Sequence, residues 1–120
     1  GFLNSDFFIF RYSDIMLMKA ESLFRLSPNN QEALQIVNQI RKRAQVNPFH
    51  QLTIDNLLDE RGRELFMESW RRSDLIRFKK FNEPTIFRPI KTESYRTLYP
   101  IPKDQIDANP NLIQNPGYNY

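Results

Sequence analysis

The spacing of apolar residues predicts three amphipathic helices followed by a segment without helical periodicity. In each helix, apolar positions recur three and four residues apart, which places them on one buried face. The predicted helices cover residues 14–26, 31–44 and 53–80, and Ser13 or Asp14 is the expected N-cap of the first. A four-residue connection makes the first two helices an antiparallel hairpin. We interpret the chain as a single region with three parts: an extended arm at 1–11, a helical scaffold at 12–81 and an irregular coat at 82–120.

The third predicted helix organises the rest of the scaffold. Thr53 can cap its first turn, and Gly62 falls on its apolar stripe. Glycine inside a helix costs about 1 kcal/mol relative to alanine, so it needs a compensating contact. We therefore expect a neighbouring helix to cross close to Gly62. The predicted stripe consists of Ile54, Leu57, Leu58, Leu65 and Phe66.

The last 39 residues change in character. Six of the eight prolines lie between positions 84 and 116, which excludes regular helix over most of this segment. Large apolar residues remain frequent, so the segment is expected to be an ordered coat that wraps across the helices. One helical turn is predicted at residues 103–107.

Composition narrows the class of protein. A content of 40% apolar and 13% aromatic residues can fill a globular core, and the absence of cysteine excludes disulfide scaffolds and cysteine-based sites. The net charge of +3 is spread over alternating acids and bases, which favours a mixed-charge surface over a nucleic-acid footprint. The N-terminus lacks the order of a secretion signal, which fits either a cytosolic protein or a fragment, and the start without methionine favours a piece of a longer protein.

Three carboxylates follow one another at four-residue intervals: Glu60, Glu64 and Glu68. Like charges at this spacing repel, so the row predicts arginine partners from this and neighbouring helices. A carboxylate metal centre on helices would also need histidine three residues from a glutamate, and His50 lies in a loop. We therefore assign no metal site. The expected local pairs are Asp59 with Arg63, Glu68 with Arg71 or Arg72, and Asp74 with Arg77.

Candidate binding residues are mostly aromatic. Trp70 can stack on a sugar ring, although its place one turn beyond Phe66 favours helix packing. The run at 41–43 holds three cations, fewer than the clusters that recognise lipid headgroups. We therefore expect it to be a solvated helix end, where cations suit the helix dipole. No catalytic triad or glycine-rich phosphate loop is present, so no catalytic residue and no cofactor are assigned, and the ligand-binding residues stay open. The tyrosines of the coat could likewise either stack on sugar or hold the irregular chain against the helices. They are Tyr95, Tyr99, Tyr118 and Tyr120.

Five blocks along the chain together resemble the C-terminal region of the SusD/RagB-like outer-membrane proteins of Bacteroidetes. The resemblance implies a mostly α-helical protein with tetratricopeptide-like helix pairs, held at the outer membrane by a lipid anchor upstream of this chain. It implies binding of oligosaccharides or peptides without catalysis, together with a SusC-like TonB-dependent transporter. The ligand-contacting aromatics would lie mostly upstream. The blocks are residues 11–23, 38–44, 57–65, 72–77, and 99–102 with 109–118.

Two alternatives stand beside this reading. The small and apolar residues Ala20, Leu23, Ala33 and Ala44 follow a pattern typical of a tetratricopeptide-like module that binds a protein or peptide. A basic helical nucleic-acid binder is the weaker alternative, and our interpretation includes no nucleic-acid partner.

Overall fold

The computed structural model of the protein describes residues 9–119, so most of the predicted arm at 1–11 lies outside the described residues. The chain divides into two compact units, Gly1–Leu75 and Ile76–Tyr120. None of the helices within residues 9–119 is long and apolar enough to cross a membrane. The helices are α1 (Tyr12–Leu26), α2 (Gln31–Arg43), α3 (Ile54–Glu64), α4 (Arg71–Arg77) and α5 (Lys103–Ala108), with a 3-10 turn at Ser94–Thr97. The predicted mainly helical class is confirmed.

The hairpin of α1 and α2 forms the centre of the first unit. Helix α1 packs on both α2 and α3. The connection is closed by Asn30, whose side-chain oxygen accepts a hydrogen bond from the Ala33 amide at 3.0 Å and so caps α2. The predicted hairpin is therefore confirmed. Its buried apolar side chains are Leu17, Ala20, Ala33, Ile36, Val37 and Ile40.

The first helix begins earlier than predicted. Its N-cap is Arg11, and neither Ser13 nor Asp14 occupies that position, because both already lie within α1 and are buried. The Asp14 carboxylate accepts a hydrogen bond from Arg61 of α3 instead of from the amides of its own first turn. A tertiary ion pair therefore replaces the expected local cap.

The single helix predicted at 53–80 is wrong, because α3 ends at Glu64 and α4 begins only at Arg71. Met67 and Ser69 adopt left-handed backbone conformations with φ of 66° and 64°, which a continuous α-helix does not allow. The Arg11 guanidinium donates to the Glu64 carbonyl oxygen, the group that the Glu68 amide would bond in an uninterrupted helix. The Glu68 amide donates to the Leu65 carbonyl instead, at 3.1 Å. Phe66 consequently leaves the apolar stripe and is 75% exposed.

Gly62 makes room for a side chain and not for a neighbouring helix as predicted. A Cβ atom at position 62 would lie 2.6 Å from Nη1 of Arg71, the first residue of α4. In the native arrangement this Nη1 donates to the Leu58 carbonyl oxygen at 2.8 Å. The glycine therefore allows the Arg71 guanidinium to lie directly against α3.

The second unit is held by side-chain amides that bond to backbone groups. The Gln114 side chain accepts from the Ile101 amide and donates to the Ile101 carbonyl, both at 2.9 Å, as a neighbouring strand would. Asn115 Nδ2 donates to the Tyr99 carbonyl at 2.7 Å. The predicted helical turn at 103–107 is confirmed by α5. The wrapping of this segment across the helices stays a prediction.

We expect the effect of Gly62→Ala on stability to depend on Arg71. Alanine gains about 1 kcal/mol of helix propensity but displaces the Arg71 hydrogen bond, which is worth about 1 kcal/mol. The free energy of unfolding of the single variant should therefore lie within about 1 kcal/mol of the parent's. In an R71A background, G62A should raise the free energy of unfolding by about 1 kcal/mol. Urea unfolding of the four proteins measures this coupling, and equal effects of G62A in both backgrounds would contradict the contact.

Candidate functional site

A buried ion triad joins three helices of the first unit. Arg61 of α3 donates from Nη2 to Asp14 Oδ1 of α1 at 3.0 Å and from Nε to Asp74 Oδ2 of α4 at 2.9 Å. The side chains of Arg61, Asp14 and Asp74 are 2%, 1% and 2% exposed, respectively. Charges removed from water this completely need both ion pairing and hydrogen bonds. The triad therefore fixes the relative positions of α1, α3 and α4.

A second ionic cluster surrounds the predicted carboxylate row. Glu60 accepts from Arg41 of α2 and from Arg63, each at 2.7 Å. Glu64 binds Arg11 and Arg43, and Glu68 binds Arg11 at 2.8 Å. The prediction that arginines of this and neighbouring helices pair with the row is confirmed. The row therefore cross-links the start of α1, the end of α2 and the turn after α3.

Several partners differ from those expected from sequence spacing. Arg63 contacts Glu60 and not Asp59 as predicted. Asp74 has Arg61, 13 residues away in the chain, as a buried partner, and the predicted pair of Asp74 with Arg77 stays a prediction. Arg41 is half-buried: its guanidinium lies 3.9 Å from the centre of the Phe49 ring and donates to the Asn47 carbonyl at 2.7 Å. The solvated helix end predicted at 41–43 is therefore wrong for Arg41. Spacing rules along one helix predict only pairs that are three or four residues apart, so they cannot predict the pairs between different helices.

The pKa of Glu64 is set by two opposing effects. Burial alone raises the pKa of this carboxyl group, but hydrogen bonds from Arg11, Ser13 and Arg43 favour the ionised form more strongly. The net result is a pKa below the usual value. For Arg11, the hydrogen bond to Glu68 raises the pKa above its usual value, so the guanidinium stays charged. Both groups are therefore ionised at neutral pH.

These carboxylates are engaged as ion-pair partners. Within residues 9–119, no group of three or more His, Asp or Glu side chains is placed to hold a metal ion. His50 is an exposed loop residue between α2 and α3. The chemistry of the cluster is that of a structural cross-link.

The aromatic candidates fall into three groups. The Trp70 ring packs on Phe10, just before α1, with ring centres 5.7 Å apart. The helix packing expected for Trp70 stays a prediction. Tyr95 and Tyr118 pack edge to face at 4.9 Å in the second unit. Tyr99 is exposed, and Tyr120 lies outside the described residues.

An open groove of about 630 Å³ lies along the turn between α3 and α4. Phe66 and Met67 line it and are largely exposed, beside Arg63 and Arg71. Sequence reasoning assigned Phe66 to the buried stripe and missed this surface. No proline or glycine within residues 65–70 signals the turn, so the pattern offered nothing by which to find it.

The hairpin, the third helix packed on it and the buried ion pairs define a tetratricopeptide-like helical scaffold. The family model of the SusD family matches residues 1–118, and the chain belongs to this family. The starch-binding protein SusD of Bacteroides thetaiotaomicron is 35% identical over 96% of this chain. SusD-like protein P38 of Formosa agariphila is 33% identical over the same share.

Solved structures agree in fold. A SusD superfamily protein from Parabacteroides distasonis matches 91% of this chain with a TM-score of 0.77 and 32% identity. Surface glycan-binding protein A from Bacteroides uniformis matches 93% with a TM-score of 0.80 and 26% identity. This chain spans 22% and 25% of the two sequence relatives and 26% and 28% of the two structures, or about a quarter of each.

We expect Arg61→Met to destabilise the protein by about 3–5 kcal/mol, because it leaves two buried carboxylates without their cation. The matched control is Arg63→Met, whose side chain is 54% exposed and whose loss should cost about 1 kcal/mol or less. Replacing the whole triad by leucine and methionine should cost less than R61M alone. Urea unfolding measures the stability of all three variants. A loss of stability in R61M no larger than that in R63M would contradict the role of the triad.

Glu64 should contribute stability that disappears in acid. Its folded-state pKa lies below the usual value of about 4.5, so the unfolded chain binds more protons as the pH falls. The contribution is complete above about pH 4.5 and is lost as the pH falls through the folded-state pKa. The difference in unfolding free energy between the parent and Glu64→Gln should therefore shrink below about pH 4.5. For the exposed, uncharged Gln35→Ala the difference should not vary with pH, and a pH-independent E64Q difference would contradict the assignment.

Proposed function

We propose that this chain is the C-terminal part of a non-catalytic glycan- or oligopeptide-binding component of an outer-membrane, TonB-dependent nutrient uptake system. The observation that carries the proposal is the 35% identity with a protein named for starch binding over 96% of this chain. A structural neighbour is likewise named a surface glycan-binding protein. Both names favour a glycan over an oligopeptide as the ligand.

Within such a receptor, we assign this region to the framework. The polar side chains that are most deeply buried bind one another across α1, α3 and α4. Trp70, the residue best suited to stack on sugar, is half-buried against Phe10. Ligand recognition would then lie mainly in parts of the receptor beyond these 120 residues.

The proposed receptor also has a membrane anchor and a transporter as a partner. The receptor would be held at the cell surface of the outer membrane by a lipid anchor upstream of this chain and would deliver its ligand to a SusC-like transporter. The proposal includes no catalytic residue, no cofactor and no nucleic-acid partner. A tetratricopeptide-like interaction module would share the helical hairpin, but the similarity to the named glycan-binding proteins extends over both compact units.

Affinity electrophoresis of the full-length protein in native gels tests the proposal. We expect slower migration in gels containing starch or another polysaccharide than in gels without it, and no such change for a protein that binds no glycan. Trp70→Ala should retain the parent's retardation within about twofold, because the ring packs on Phe10. Unchanged migration across plant, host and bacterial glycans would contradict the glycan reading, and binding to an oligopeptide pool would then identify the ligand class.

A further inference from the structure

The turn between α3 and α4 has a backbone conformation that its residues do not favour. Met67 and Ser69 have φ values of 66° and 64°, in the left-handed region that favours glycine. Leu65, Met67 and Glu68 are among the residue types that favour helix, and residues 65–70 contain no glycine or proline. Local preference therefore favours a continued helix, so contacts from outside this segment must keep it as a turn.

Arg11, at the entry to α1, contacts the start of this turn. Its guanidinium donates to the Glu64 carbonyl oxygen, the acceptor that a continued helix would give to the Glu68 amide. The Nε atom of Arg11 also donates to both carboxylate oxygens of Glu68, at 2.8 and 2.9 Å. Arg11 therefore occupies the acceptor of the next helical bond and binds the residue whose amide would form that bond.

Phe10, the residue before Arg11, contacts the other end of the turn. Its ring packs on the Trp70 ring, with ring centres 5.7 Å apart and the two planes inclined at 39°. Trp70 directly precedes Arg71, the first residue of α4. Two neighbouring residues therefore hold both ends of the 65–70 turn, and we call this pair the clasp.

We propose that residues 65–70 form a two-state element, which the clasp holds as a turn. In the second state α3 continues into α4 as one helix, as the apolar spacing of the sequence predicts. That helix separates Arg61 from Asp74 by about 20 Å along its axis, so Asp74 leaves the buried triad. The chain before α1 is thereby coupled to the position of α4 and to the exposure of Phe66, whatever ligand the receptor binds.

Position 67 allows the balance between the two states to be shifted without changing the clasp. The Met67 side chain is 80% exposed, so replacing it removes little packing from the first unit. Glycine adopts the positive φ of this position at no steric cost, whereas a β-branched residue there is a conformational outlier. Met67→Gly should therefore favour the turn, and Met67→Ile should favour the helix.

Distances between two spin labels in the full-length protein test the proposal. The labels are attached to Asp59→Cys in α3 and Ser73→Cys in α4, both exposed positions, as the only cysteines of the protein. In a continued helix the two Cα atoms lie about 21 Å apart along the axis. We expect the parent to give a single, shorter distance. Arg11→Met, which removes the donors of the clasp, should add a population at the helical distance.

Variants at position 67 give the second arm of the test. In the R11M background, M67G should lower the ratio of helix to turn by about fivefold or more, and M67I should raise this ratio. The matched control is Met18→Ile, which changes a methionine 40% exposed inside α1 and should leave the distances unchanged.

Three results would overturn the two-state element: a single parent-like distance in R11M, a broadened distribution without the helical distance, or the same change in M67G and M67I. If R11M does not fold, M67I in the parent background decides, because it leaves the clasp intact. A population at the helical distance in M67I supports the proposal, and a parent-like distance overturns it. These distances are measured without ligand, so their outcome is separate from that of the glycan-binding experiment.

Discussion

The guanidinium of Arg61, held between Asp14 and Asp74, is the interaction on which the helical scaffold depends. Thirteen residues separate Arg61 from Asp74. In an unbroken helix they would stand about 20 Å apart along the axis, out of reach of each other. The chain must therefore turn back between α3 and α4. The left-handed residues Met67 and Ser69, and the bond from Arg11 to the Glu64 carbonyl, accommodate that reversal.

The triad determines position more than it determines stability. Two carboxylates and one guanidinium are desolvated together, and such groups stabilise a fold little compared with apolar side chains of the same volume. Their value is that a misplaced helix leaves a charge buried without its partner, which is far more costly than a small loss of apolar contact. A tetratricopeptide-like hairpin with a third helix has several similar ways to pack. The buried ions favour the packing in which Arg61 meets both Asp14 and Asp74.

The parts of this fold that depend on local pattern are predictable from the sequence, and the parts that depend on distant partners are not. The hairpin follows from apolar periodicity and from Asn30 at its connection. The ionic partners of the glutamate row were predictable in kind, because like charges at four-residue spacing need cations. The identities of those partners were not predictable. The break after Glu64 was not predictable either, since no glycine or proline lies within residues 65–70.

The blocks that carry the family resemblance can now be given a physical role. Three of them, 11–23, 57–65 and 72–77, each contribute one member of the triad. The block at 38–44 supplies Arg41 and Arg43 to the carboxylate row. The last, 99–102 with 109–118, is joined by the Gln114 and Asn115 amides. Because the contacts of these blocks are with other parts of the same chain, the blocks identify the scaffold without identifying its ligand.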